Sequence, residues 1–218
     1  MLDYVIKDGE CGVEKAFSVI GSKWASDIIR VCFTDGSNSF SDFKGKIDGI
    51  SDSKLAAQLN SLADNGILEK KEDAETGRSG FCLTQKGLDI VPALRLMHYF
   101  ALDMGYGDPT PAKQLEFTRK LIGSKWKARI IWMLCHAEIA RFNELHDSIE
   151  GISFKVLKQQ LADMEEKGII SRTEYEGKVP KVEYSLTSAG KESYLIVQSL
   201  ADWCRKYGMI KQRIIIDS

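Results

Sequence analysis

The sequence repeats itself after about 100 residues. A shift of 102 positions places Ile20–Trp24 on Ile122–Trp126 and Gly49–Ser51 on Gly151–Ser153, and a shift of 103 continues the match near the end of each copy. Solenoid repeats are only about 20–50 residues long, so a repeat of this length is a whole domain. The 218 residues therefore predict two copies of one small fold, as domains over residues 1–105 and 112–211.

Composition excludes several classes of protein. No apolar run approaches the roughly 18–20 residues of a membrane span, and the first residues are too polar for a signal peptide, so we expect a cytoplasmic protein. The five cysteines form no CxxC pair and the three histidines have no ligand spacing, so no zinc site or other cofactor is predicted. The sequence contains no nucleophile–base pattern and no phosphate-binding loop, so no enzyme is predicted.

The two copies differ in net charge. Residues 1–108 hold 12 Lys and Arg against 17 Asp and Glu, whereas residues 109–218 hold 18 against 14. The first half therefore has a net charge of −5 and the second half +4. This asymmetry favours the second copy as the ligand of a polyanion.

Each copy has the element order of a winged helix. In the first copy, residues 11–20 have helical spacing, and two strands over 67–72 and 81–84 form a hairpin before a last helix that reaches about Asp103. Four hydroxyl side chains are placed to cap the later helices: Ser22, Ser41, Ser51 and Thr84. The prediction is a mainly α (α+β) fold of tandem winged-helix domains, each a helix-turn-helix with a two-stranded wing.

Several motifs together resemble the HxlR-type winged-helix transcription regulators. They are Cys11–Trp24, Phe40–Phe43, Gly49–Ser51, Gln58–Leu62 and Gly66–Leu68 in the first copy, and Ile122–Trp126, Phe142–Leu145, Gly151–Ser153, Leu157–Leu161 and Val179–Thr187 in the second. The resemblance implies a regulator that binds double-stranded DNA. It also implies dimer contacts through the first and last helices, and in some members a sensing cysteine at the start of the first helix. Members usually carry one domain, so the tandem copies are expected to pack as an intramolecular pseudo-dimer.

The two predicted recognition helices differ on their outward faces. In the second copy Ser153, Lys155, Lys158 and Gln159 lie on that face and suit phosphate and base contacts. Further DNA-binding candidates in the second copy are Lys125, Lys178 and Lys181. The candidates in the first copy are Ser51, Ser53, Lys54 and Arg78. We therefore expect a sequence-specific regulator whose second domain dominates DNA contact.

The sequence is compatible with two alternatives. The acidic first copy would also suit a winged-helix protein-interaction module that has lost most of its DNA affinity. Cys11 begins a predicted helix, where the helix dipole lowers the pKa of a thiol, so a redox-responsive regulator with weak DNA affinity is the other reading. A small-molecule or oxidant effector is a further possible partner, and whole chains could associate as homodimers. Trp24 and Trp126, expected in mid-helix, fit core packing better than a stacking platform.

Overall fold

The chain forms two compact units. The computed structural model describes residues 4–5, 11–36, 38–72, 79–176, 181–210 and 215–216. Unit I is Ala16–Phe117, and unit II combines Met1–Lys15 with Thr118–Ser218. Each unit therefore contains one copy of the repeat together with the beginning of the other copy's first helix. Within the described ranges, no helix is long and apolar enough to cross a membrane.

Unit I has the predicted order of helices and strands. Its elements are most of α1 (Gly12–Ile20), α2 (Ala25–Asp35), α3 (Phe40–Lys46), α4 (Asp52–Asp64), β2 (Leu68–Glu72), β3 (Ser79–Leu83), α5 (Gln85–Asp103) and the start of α6 (Pro111–Ile122). The strands β2 and β3 pair antiparallel as a hairpin directly after α4. Leu55, Leu59 and Leu62 are buried with spacings of four and three residues, so one stripe of α4 faces the core.

A glycine allows α5, the last helix of the first copy, to approach the chain that precedes the wing. The Thr84 hydroxyl accepts the Gly87 N–H and donates to the Gly66 carbonyl oxygen at 2.6 Å. A Cβ atom on Gly87 would lie 2.3 Å from the carbonyl oxygen of Ile67. Any larger residue would therefore force α5 away from the core. Gly190 repeats this arrangement in unit II, 2.1 Å from the carbonyl oxygen of Ile169.

Unit II repeats the winged helix with one more strand. Its elements are the end of α6, α7 (Lys125–Ala137), β4 (Ile139–Arg141), α8 (Phe142–Ser148), α9 (Phe154–Glu166), β5 (Ile170–Tyr175), β6 (Lys181–Leu186) and α10 (Ser188–Lys206). The strands have the order β4-β6-β5, with Ala140 opposite Tyr184 and Ile170 opposite Leu186. A separate short ladder joins β1 (Tyr4–Val5) to β7 (Ile215–Ile216).

The beginning of α1 belongs to unit II because it packs closely on α10. A Cβ atom on Gly12 would lie 2.8 Å from the Cα atom of Ala201 and 3.1 Å from the Ile210 side chain. The buried Cys204 thiol donates to the Gly12 carbonyl oxygen at 3.3 Å. Glycine at position 12 is therefore what allows the first turn of α1 to approach the last helix of the second copy.

Three local expectations were wrong. The strand β4 was not predicted, and the wing sheet of the second copy has three strands rather than two. The short helix α3 is capped by Ser39 rather than Ser41, with Asp42 completing a reciprocal capping box. Trp24 lies at the N-cap of α2 rather than in mid-helix, although the Ser22 hydroxyl still accepts the Ala25 N–H at 3.0 Å.

Candidate nucleic-acid interface

The exposed face of α9 brings together four of the predicted site residues. The Ser153 hydroxyl caps the helix by accepting the Val156 N–H. Lys155, Lys158 and Gln159 are exposed at positions i, i+3 and i+4, so their side chains share one side of the helix. Neither lysine forms an ion pair within the part of the chain that the structure describes. Two unneutralised ammonium groups beside a carboxamide can contact phosphates and an adenine edge.

Two buried cations hold α9 in place. The Lys127 ammonium lies 2.6 Å from an Asp163 carboxylate oxygen and donates to the Lys120 carbonyl oxygen at 2.9 Å. Burial alone would raise the pKa of Asp163, but hydrogen bonds from Lys127 and Lys167 outweigh it and lower that pKa. Arg129, also buried, donates to the Glu150 carbonyl oxygen at 3.3 Å, in the turn that precedes α9. These side chains therefore orient the helix-turn-helix of unit II.

An aromatic cluster lies at the beginning of α9. Phe154 is 57% exposed, with its ring centroid 3.9 Å from that of His146 and 5.5 Å from that of Phe142. In the first copy the matching positions carry an ion pair, in which the Lys44 ammonium lies 2.9 Å from the Asp52 carboxylate. An exposed aromatic ring on a recognition helix suits contact with a thymine methyl group. The sequence analysis did not predict this aromatic cluster.

The recognition helix of unit I offers a weaker surface. Ser51, Ser53 and Lys54 are exposed at the beginning of α4, where the Ser51 hydroxyl accepts the Lys54 N–H and lies 3.3 Å from the Ser53 hydroxyl. Ala56 and Ala57 are the exposed residues one turn further on. The side chains of Ala56 and Ala57 reach less far than those of Lys158 and Gln159 at the matching positions of α9.

Lys181 of the wing and Lys125 at the start of α7 both contact other side chains. Lys181 forms an ion pair with Glu183, and its ammonium lies 5.0 Å from the centroid of the Tyr175 ring. Lys125 is half-buried, with its ammonium 4.2 Å from the Trp126 ring centroid. The backbone N–H of Lys125 donates to Glu14 at 3.2 Å. The remaining predicted wing residues, Arg78 and Lys178, lie outside the described residues.

The environment of Cys11 opposes a reactive thiolate. The side chain is 9% exposed, just before the first turn of α1. Burial raises the pKa of the Cys11 thiol, although hydrogen bonds with the backbone of Glu14 and Val13 and the charge of Arg129 act in the other direction. The helix start on which the redox prediction rested is present, but desolvation outweighs its effect.

Comparison with known proteins agrees with the fold and with the duplication. Residues 19–107 and 121–212 both match the model of the HxlR-like helix-turn-helix family. The chain belongs to the HxlR-like helix-turn-helix family. The two matched regions make up most of the chain, which therefore carries two copies of the family's domain. As a member of this family, the protein is a DNA-binding transcriptional regulator of the winged-helix type.

Individual relatives each match about one copy. The HTH-type transcriptional regulator BH0655 of Halalkalibacterium halodurans is 41% identical over 87 residues, which are 40% of this chain and 77% of that protein. The regulatory protein MalR of Fusobacterium mortiferum is 38% identical over 89 residues, 41% of this chain and 84% of that protein. The solved structure of the reduced redox regulator HypR is 35% identical, with a TM-score of 0.41, and covers 43% of this chain and 92% of its own.

Proposed function

We propose that the protein is a sequence-specific regulator of transcription in which the second copy makes the dominant contact with double-stranded DNA. The observation that carries this proposal is the pair Lys155 and Lys158, exposed beside Gln159 on α9 and without an ion-pair partner among the described residues. The corresponding positions of α4 are Ser53, Ala56 and Ala57, which offer no charge and only one polar group. Lys181 and Lys178 would add wing contacts, and Lys125 a contact from the start of α7.

We further propose that the copies, as domains over residues 1–105 and 112–211, pair as an intramolecular pseudo-dimer through their first and last helices. Support comes from both units. In unit II the start of α1 packs on Ala201 and Cys204 of α10. In unit I the Phe117 ring, on α6, stacks on Tyr106 just after α5, with centroids 4.5 Å apart. Each copy thus supplies the first turns of its first helix to the other copy's unit.

The experiment that tests this function measures fluorescence anisotropy of labelled duplexes selected from random sequence. We expect specific binding whose affinity falls with salt, because phosphate contacts release counterions. No binding to any duplex at low salt would refute the proposal. It would favour the protein-interaction alternative, which the Asp52, Ala56 and Ala57 surface of α4 motivates.

A redox role for Cys11 stays a prediction. A sensor would lose specific DNA binding after treatment with peroxide or a quinone, and a Cys11→Ser variant would keep it. Equal DNA binding by treated and untreated protein would refute the sensor. The raised pKa of the thiol leads us to expect a slow reaction near neutral pH.

A further inference from the structure

A cavity of about 310 Å³ opens in unit I between α2, α5 and the start of α6. Its volume lies within the range of small-molecule pockets, which is about 300–1,000 Å³. Ile29, Val91, Leu94 and Leu115 give it apolar walls. A ligand of matching size would therefore need an apolar body.

Cationic side chains line the same cavity. Arg95 and Arg30 both contribute to its wall and both are exposed, so their guanidinium groups can reach a ligand and solvent together. Arg30 is partly neutralised by the nearby charge of Asp27 and Asp35. Arg95 forms no ion pair or hydrogen bond with any residue that the structure describes. A guanidinium group in this position favours a planar anion, since it can donate two parallel hydrogen bonds to a carboxylate.

The second copy has different side chains at the equivalent positions. Arg30 corresponds to Trp132, Val91 to Tyr194 and Arg95 to Gln198. The Trp132 ring stacks on His136 with centroids 3.9 Å apart, and His136 meets Tyr194 edge-on at 5.8 Å. Aromatic side chains therefore stand in unit II at the positions of Arg30 and Val91 in unit I. The two copies differ at the positions that line this cavity.

We propose that the unit I cavity binds a small aromatic carboxylate, with Arg95 pairing with the carboxylate and the apolar walls enclosing the ring. The first copy is then the effector-binding half of the regulator, and the second copy its DNA-binding half. The effect of the ligand on DNA rests on the proposed function, whereas the binding itself does not.

The test is isothermal titration calorimetry on the full chain, without DNA, using 1-naphthoate and its neutral analogue 1-naphthalenemethanol. We expect one naphthoate per chain. Arg95→Gln, which copies the second-copy residue, should weaken naphthoate binding about tenfold or more, since charged hydrogen bonds are the strong ones. The same variant should leave the neutral analogue unchanged. Val91→Tyr should abolish binding of both compounds, and the second-copy control Gln198→Ala should change neither.

Several outcomes would overturn the site. These are no heat with wild type at millimolar naphthoate, equal naphthoate affinity in Arg95→Gln, or a dimer in apo protein that Val91→Tyr dissociates, which would assign the groove to a second chain. Arg95 is exposed, so its variant remains informative if Val91→Tyr fails to fold. Adding naphthoate to the protein–DNA complex separates the two proposals. Ligand binding without a change in DNA affinity would refute only the effector role, and absence of DNA binding would refute only the proposed function.

Discussion

Replacing Lys155 and Lys158 with alanine should remove the principal electrostatic contact with DNA. Both ammonium groups are exposed on α9 and neither is neutralised by a described residue. Each phosphate contact contributes about 0.9 to the slope of log affinity against log salt. Loss of two contacts should therefore reduce the slope by about 1.8. Between 50 and 200 mM salt, the wild type should lose about twelvefold more affinity than the double variant.

The assay is fluorescence anisotropy with one selected duplex at those two salt concentrations. If either lysine also reads a base edge, the variant loses a further ~1–3 kcal/mol and specific binding disappears. The matched first-copy variant, Ser53→Ala with Lys54→Ala, should weaken binding only about threefold, since it removes at most one charge. Lys191→Ala, an exposed charge on α10, controls for net charge. Equal losses in the first-copy and second-copy variants would refute the asymmetry.

Three other perturbations have defined outcomes. Phe154→Ala should weaken binding to the selected duplex more than to random DNA, because the exposed ring can contact a thymine methyl; equal losses in anisotropy would contradict this. Gly190→Ala should destabilise the protein by about 1–3 kcal/mol in urea unfolding, because its Cβ would meet the Ile169 carbonyl oxygen, and an unchanged midpoint would show that α10 can shift. Cys11 should react with iodoacetamide more slowly at pH 7 than a free cysteine of pKa about 8.5, because burial raises the pKa of its thiol. Faster labelling would support a reactive Cys11 thiolate instead.

The helix caps explain why so much of the fold could be predicted from the sequence. Ser51 and Thr84 each accept the backbone N–H three residues on, as expected. The capping signal is local, so the sequence alone reveals it. The strand β4 could not be found this way because it has three residues and pairs with Glu183–Ser185, about 40 residues further along the chain. Its existence depends on tertiary contact rather than on propensity.

The candidate site was predictable only in part for the same reason. Helical spacing alone placed Lys155, Lys158 and Gln159 on one exposed face of α9. The buried roles of Lys127 and Arg129 require knowledge of what α7 packs against, and a basic residue in a sequence is expected to be exposed. The cavity beside Val91 could not be predicted from the sequence, because it depends on how α2, α5 and α6 pack around a valine where the second copy has Tyr194.

Selecting bound duplexes from a random pool and sequencing them tests whether the two copies read DNA unequally. We expect a site with one strongly specified half and one weakly specified half, because α9 carries Lys155, Lys158 and Gln159 where α4 carries Ser53, Ala56 and Ala57. Two equal recognition helices would instead select inverted half-sites about one helical turn apart. A palindrome with equal information in both halves would refute unequal reading by the two copies.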